Sequence, residues 1–219
     1  MSVIRILLVD DHEVVRRGLE MVLKIEPDLQ VIGEAANGIE AIEQSQKLQP
    51  DLVLLDLKMP GMDGARVARA IKQVAPHTRI LILTGIDADH EIATALESNV
   101  DGYILKDAPP SELLHAVRVI AGGQAYLQPA VTKRLLRRMA ATSASDAVRL
   151  PPQLTPREME VLKLMATSRS NKEIGTALVI AEETVRSHIK SILSKLKQPN
   201  RTQAVLAALR MGLIDLDSL

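Results

Sequence analysis

Residues 51–64 read DLVLLDLKMPGMDG, and no other stretch of the chain narrows the possible folds as far. An unbroken apolar run, Leu52-Val53-Leu54-Leu55, stops at a single carboxylate, Asp56, and gives way to Met59-Pro60-Gly61-Met62-Asp63-Gly64. Continuous aliphatic runs of that length belong to strands covered on both faces, as in parallel sheets. Proline and two glycines so close together break regular structure into a loop. Asp56 is therefore expected at the carboxyl end of a buried strand, where open α/β sheets carry their chemistry. The competing reading is a strand-end aspartate that merely caps the next turn. The rest of the chain decides between the two.

Four more strand patterns accompany it, at 4–9 (IRILLV), 30–34 (QVIGE), 79–83 (RILIL) and 102–105 (GYIL). Helical spacing separates them. Val15, Leu19, Val22 and Leu23 recur on one face, and 37–48 carries Ile39, Ile42 and Leu48 as its inward set. Further helices are expected at 64–74, 89–98 and 111–120. Strand and helix alternate five times, which predicts an α/β fold, a (βα)5 doubly wound parallel sheet, with right-handed crossovers placing helices on both faces. Asp10, Asp11, Asp56, Thr84 and Lys106 then converge on one sheet edge. Crowded carboxylates repel and recruit a cation; oxygen donors with positions left for water suit Mg2+. A cation, a lysine, a hydroxyl and backbone N–H groups around one carboxylate favour adding a phosphoryl group to it.

The second part of the chain has a different texture. Residues 128–139 place Val131, Leu135, Leu136 and Met139 at helical spacing beside Lys133, Arg134, Arg137 and Arg138, a basic connector helix. Residues 141–152, ATSASDAVRLPP, are small, polar and proline-ended, and read as a tether. Leu154-Thr155-Pro156-Arg157-Glu158 then has the form of a helix start: Thr155 as N-cap, Pro156 at the first position, Glu158 closing a capping box, and Leu154 with Met159 as hydrophobic staple. Ser170-Asn171-Lys172-Glu173 repeats the box. A third helix from Glu182 turns Val185, Ile189, Ile192, Leu193 and Leu196 inward and leaves Arg186, Ser187, Lys190 and Ser194 on the opposite face; a fourth, 202–211, buries Val205, Ala208 and Leu209. The expectation is an all-α four-helix domain with two short helices joined by a tight turn, suited to helix-turn-helix DNA binding. Arg186 and Lys190, four residues apart, can enter a major groove together.

Charge divides the chain at the same place. Residues 1–124 hold 12 Lys/Arg and 19 Asp/Glu, a net of −7, and residues 125–219 hold 15 and 8, a net of +7. An acidic half and a basic half imply different partners, with nucleic acid the natural one for the basic half. There is no cysteine, hence neither a disulfide framework nor a thiolate metal site. Apolar runs fall short of the roughly 18 residues that a membrane span requires, so a cytoplasmic protein with no membrane partner is expected.

The motifs Val9–His12 (VDDH), 54–64 (LLDLKMPGMDG), 83–85 (LTG) and 102–107 (GYILKD) resemble a response-regulator receiver domain. LTPREMEVLKLM, NKEIGTAL, ETVRSHIKSILSKL and NRTQAV resemble the LuxR-type helix-turn-helix domain. Joined, they resemble a NarL/FixJ-family response regulator: receiver at 1–122, connector and linker at 123–152, DNA-binding domain at 153–216. The resemblance implies that Asp56 is the phosphoacceptor, fed by a sensor histidine kinase. Mg2+ would be held by Asp11, Asp56 and the Lys58 carbonyl, with Asp10 acting mostly through water. Thr84 would be the switch hydroxyl, Tyr103 the aromatic that swings inward with it, and Lys106 the holder of the phosphoryl oxygens. Arg186, Ser187 and Lys190 would face base edges in double-stranded DNA. Thr184 and His188 would lie near its backbone, and Lys172 and Lys195 would contact phosphate. The fourth helix would pair two copies into a homodimer upon phosphorylation.

Departures from the family pattern are Gly85, where Ala or Ser is usual, Ser168 for a common Gly, Ala181 for a capping Ser, and Glu182 with Glu183, which disfavour nearby phosphate. The implied function is a phosphorylation-switched transcription regulator rather than an enzyme. A Mg2+-dependent phosphohydrolase would need a second acid or base beside the nucleophile and a substrate cap, and neither is visible in the sequence. His12, His77, His90 and His115 show no ligand spacing and read as surface or strand-end residues.

Overall fold

The computed structural model describes residues 3–85, 100–128, 131, 154–167 and 169–214. The chain divides into two compact units, 1–123 and 124–219.

In the first unit, strands β1 (Ile4–Val9), β2 (Leu29–Ala35), β3 (Leu52–Asp56), β4 (Arg79–Thr84) and β5 (Gly102–Leu105) form one sheet in the order β2-β1-β3-β4-β5. The pairings β1–β2, β1–β3, β3–β4 and β4–β5 are all parallel. Helices α1 (Glu13–Lys24), α2 (Gly38–Leu48), α3 (Gly64–Val74) and α4 (Pro110–Ala121) intervene. The expected α/β alternation is present. β3 is buried at every position, and Ile6, Leu7, Leu8, Ile80, Leu81 and Ile82 of its neighbours are wholly enclosed. Aliphatic residues thus fill most of the middle layer, as the continuous runs required.

Two expectations need correction. Ile39, read as inward, is 63% exposed. The face that α2 buries is made of Gly38, Ala41 and Ser45, small residues that let α2 lie close to α3. A Cβ on Gly38 would come within 2.6 Å of Val67 Cγ2, so close approach, not bulk, defines that face. The last receiver helix starts at Pro110 instead of residue 111, because proline at the first helical position has no N–H to lose. The helix expected at 89–98, most of the connector at 128–139, and the tether at 141–152 lie outside the described residues.

In the second unit, α5 (Pro156–Ala166), α6 (Asn171–Leu178), α7 (Glu182–Leu196) and α8 (Arg201–Arg210) follow the expected order. The capping boxes at Thr155 and Ser170 both form. Val161, Leu162, Met165, Ile174, Val185, Ile192 and Leu196 are buried. The turn between α6 and α7 is tight because Ile180 N–H donates to the Gly175 carbonyl at 2.9 Å. A Cβ on Gly175 would stand 2.7 Å from the Ile180 carbonyl oxygen, so any side chain there would force the two helices apart. Val179 crosses the turn with φ +56°, a left-handed conformation that a β-branched residue adopts only under strain.

Candidate functional site

Parallel pairing puts the carboxyl ends of β1, β3, β4 and β5 on one edge, and β3 and β4 are in register with Asp56 opposite Leu83. Asp10 follows β1 and is wholly buried, Asp56 ends β3 at 2% exposure, and Thr84 ends β4 wholly buried. Lys106, just beyond β5, closes the group: its Nζ donates to Asp10 Oδ2 at 2.6 Å and to Asp56 Oδ2 at 2.7 Å. The Oδ1 atoms face elsewhere. Asp56 Oδ1 accepts from the Lys58 N–H at 3.2 Å, and Asp10 Oδ1 accepts from the His12 N–H at 2.9 Å. Four side chains, Asp10, Asp11, His12 and Asp56, bring one ligand atom each within 4.8 Å of one another. Asp11 Oδ1 is buried without a hydrogen-bond partner.

Local chain geometry holds these groups in place. Asp63 caps α3 by accepting from Ala65 N–H at 3.1 Å. The first residue of α3 must be Gly64, since a Cβ there would lie 2.8 Å from Leu57 Cα and 3.1 Å from the Asp56 carbonyl oxygen. A larger residue would push the backbone that carries Asp56. Arg16, unremarked in the sequence, donates from Nη1 to the Asp10 carbonyl at 2.7 Å and from Nε to Glu34 at 3.0 Å, tying the β1–α1 turn to β2. Its signal was its place one helical turn after His12 on α1.

Desolvation raises the Asp56 pKa above its ordinary value, more than the Lys106 ammonium and the Lys58 N–H lower it. Burial alone would depress Lys106, but hydrogen bonds to Asp10 and Asp56 outweigh it and hold the ammonium above its usual range. The ammonium is thus held in its charged form beside a carboxyl group whose ionised form burial disfavours. Thr84 Oγ1 donates to the Gly85 carbonyl at 3.3 Å. Tyr103 already lies inside, with no exposed surface and a hydroxyl that makes no hydrogen bond among the described residues, and burial pushes its phenol pKa well up.

On the second unit, Thr184, Arg186, Ser187 and Lys190 are all exposed on α7, His188 is half-buried, and Lys172 is exposed on α6. Arg186 is engaged by its own helix, 2.8 Å from Glu182 and 3.6 Å from Glu183. Lys195 reaches inward instead, with Nζ 2.6 Å from Glu158 Oε2. Ser191 Oγ donates to Glu158 Oε1 at 2.6 Å, and Thr155 N–H to its Oε2 at 2.7 Å. Although burial alone would raise it, these donors hold the Glu158 pKa down to about 2. Arg201 is also buried; its guanidinium donates to the Arg169 carbonyl at 2.6 Å and to Asn171 Oδ1 at 3.1 Å, joining the start of α8 to the start of α6.

Residues 6–118 match the response regulator receiver domain, and residues 152–208 match the bacterial regulatory proteins of the luxR family. The chain is a response regulator. The response regulator protein VraR of Staphylococcus aureus (strain Mu3) is 41% identical over 211 residues, covering 96% of this chain and 99% of that one. The response regulator ChrA, from a heme-sensing two-component system, is 37% identical with a TM-score of 0.55, over 98% of this chain and 100% of that one. RcsB of Salmonella typhimurium, described in terms of conformational dynamism for DNA interaction, is 26% identical with a TM-score of 0.59, over 94% and 97%. Receiver and DNA-binding module in one chain make this response regulator a transcription regulator of a two-component system. Among the described residues no helix is long and apolar enough to cross a membrane.

Proposed function

We propose that Asp56 is the phosphoacceptor of this response regulator and that its phosphorylation controls DNA reading by α7. One observation carries the pocket half of this reading: a buried carboxylate at a strand end is held by Lys106 at 2.7 Å inside a cluster of further carboxylates. A histidine kinase donates the phosphoryl group. The P–N bond of its phosphohistidine breaks as a P–O bond forms to an Asp56 carboxylate oxygen, and the departing imidazole takes a proton from solvent. Lys106 moves from bridging two carboxylates to holding phosphoryl oxygens, and Thr84 turns its hydroxyl from the Gly85 carbonyl toward them. Tyr103, buried beside β4, favours the inward arrangement from the start, and a phosphoryl group stabilises it further by engaging Thr84.

The donor set suits Mg2+: oxygen atoms from Asp11 and Asp56, the Lys58 carbonyl, and Asp10 through water, with the buried Asp11 Oδ1 making no hydrogen bond among the described residues. When bound, the ion neutralises charge on the transferring group. Residues 1–122 serve as receiver, 123–152 as connector and linker, and 153–216 as DNA-binding domain. Arg186, Ser187 and Lys190 read base edges; Thr184 and His188 lie near the backbone; Lys172 meets phosphate, while Lys195, expected to do the same, is engaged by Glu158. A related structure supports the assembly, since RcsB is seen as two dimers bound to two parallel DNAs. This chain acts as a phosphorylation-dependent homodimer in the cytoplasm. Loss of the phosphoryl group is assisted by the receiver itself.

The test is direct. Incubate the protein with Mg2+ and a small phosphodonor, and map the adduct by mass spectrometry. Wild type should carry one phosphoryl group on Asp56 and Asp56→Asn none. A stable adduct on Asp10 or Asp11 of the wild type would end the assignment.

A further inference from the structure

Two arginines hold α6 from its two ends, and the helix itself has little apolar anchorage. Of its eight residues only Ile174 and Gly175 are buried. At its start, the Arg201 guanidinium of α8 donates to the Arg169 carbonyl and to Asn171 Oδ1. At its end, Arg157 of α5 donates from Nη2 to the carbonyl of Leu178, the last residue of α6, at 2.7 Å. The other arm of that guanidinium, Nη1, donates to Glu160 Oε2 at 2.6 Å, one turn along its own helix, which steadies the direction in which Nη2 points.

The last carbonyls of a helix have no donor within it, and a positive charge beside them also suits the helix dipole. Directly after Leu178 the chain passes through Val179, which takes φ +56° and is 90% exposed. A β-branched residue is strained in that conformation, and one so exposed gains no packing in return. The turn is kept by main-chain hydrogen bonds, Ile180 N–H to the Gly175 carbonyl at 2.9 Å and Val179 N–H to the Thr176 carbonyl at 3.4 Å, together with Arg157. Three residues, 179–181, separate the clamped carbonyl from Glu182, where α7 begins, and Ala181 at the N-cap supplies no side-chain hydrogen bond. The direction of α7 therefore depends on a turn that its own side chains do not fix, and strain of this kind persists only where surrounding contacts over-determine it.

We propose that Arg157 is a positioning residue for DNA reading: by fixing the Leu178 carbonyl it holds the strained turn at Val179, and so sets the angle at which α7 presents Arg186 and its neighbours to base edges. The proposal rests on the reading of α7 as the base-reading helix. In such a helix the N-terminal residues meet base edges, and those contacts carry the sequence information that phosphate contacts lack. A reading helix released to tilt therefore loses discrimination between sequences before it loses general affinity. Both arms of Arg157 are engaged within the domain, by Leu178 and by Glu160, so its effect on DNA passes through the turn.

The full chain, treated with Mg2+ and a small phosphodonor, is titrated with two duplexes at several salt concentrations. One is the tightest duplex that wild type selects from a randomised pool, and the other is a scrambled duplex of the same composition. Arg157→Ala should lower the preference for the selected duplex about tenfold, with affinity for the scrambled one within about twofold of wild type and its salt slope unchanged. Arg157→Lys, which keeps a donor, should lose less. Glycine takes the left-handed conformation without strain, so Val179→Gly placed in Arg157→Ala should restore most of the preference, which a general loss of stability at Arg157 would not allow. An undiminished preference in Arg157→Ala, or a double variant no better than Arg157→Ala, would overturn the proposal. So would an equal loss on both duplexes with a salt slope lower by about one phosphate's worth, which would make Arg157 a direct phosphate contact. Arg186→Ala is the control for the reading beneath: if it keeps full preference, α7 is not the base-reading helix and the failure lies there.

Discussion

Lys106 and Arg186 each meet two carboxylates, yet they belong to different kinds of site. Lys106, 27% exposed, lies between Asp10 and Asp56, which are 0% and 2% exposed. Arg186, 57% exposed, lies beside Glu182 and Glu183, at 40% and 81%. Charges in the first group act through a medium that screens poorly, so changing one changes the state of the others. In the second group water screens each pair, which is worth little to stability, and the guanidinium can exchange its glutamates for a base edge at small cost. A site that must hold and release a covalent group is built from coupled, buried charges. One that must read a surface is built from separable, exposed ones.

The largest expected effect follows from that coupling. Lys106→Ala should slow phosphoryl uptake at Asp56 by about 10²–10³-fold, the usual consequence of removing one charge-stabilising donor. Arg186→Ala should leave uptake unchanged. Rates from a small phosphodonor, followed by mass spectrometry, measure both. Uptake at wild-type rate in Lys106→Ala would mean that the two carboxylates need no cationic partner, and the contrast between the sites would collapse.

Glu158 is a buried charge within the second unit and should behave as the pocket does. It accepts from Thr155, Ser191 and Lys195, so Glu158→Gln should destabilise this unit by about 2–3 kcal/mol. Its folded pKa of about 2 lies below the model-peptide value of 4.5. A depressed carboxylate contributes stability that is fully present above pH 4.5 and is lost as pH falls toward 2. Unfolding of wild type followed across that window should show the loss, and Glu158→Gln should lack this component. If the acid limb is the same in both, the donors around Glu158 do not favour its ionised form.

This knot also marks what the sequence concealed. Strand ends were legible because aliphatic runs stop abruptly at charged residues, and helix starts because capping boxes are local. The pairing of Lys195 with Glu158 spans 37 positions and depends on how α5 and α7 cross, which no local pattern encodes. The α2 face escaped because Gly38, Ala41 and Ser45 pack by being small.

The reading face should respond residue by residue. Arg186→Ala is expected to cost about 1–3 kcal/mol of DNA affinity and to relax specificity at one base position. Lys172→Ala should weaken binding to all sequences alike and reduce the salt slope by about one phosphate's worth. Their double variant should lose close to the sum, because exposed, separated charges add. Binding titrations on operator variants at several salt concentrations measure all three. Strong non-additivity would mean that the α7 face is as coupled as the receiver pocket.

The smallest effect concerns the start of the reading helix. Thr155 and Ser170 cap α5 and α6 with side-chain oxygens, but Ala181 at the N-cap of α7 makes no side-chain cap hydrogen bond. Its backbone, at φ −64° and ψ 147°, matches the extended conformation of the other two caps, so a serine there needs no rearrangement to accept from the Thr184 N–H. Glu182 and Glu183 already favour the positive end of the helix, which limits the gain to about 1 kcal/mol. Ala181→Ser should therefore raise the urea midpoint of the second unit without altering its m-value. Phosphoryl uptake at Asp56 should be untouched. If the midpoint does not move, the two glutamates already supply what a cap would, and the acidic start of α7 is its substitute for one.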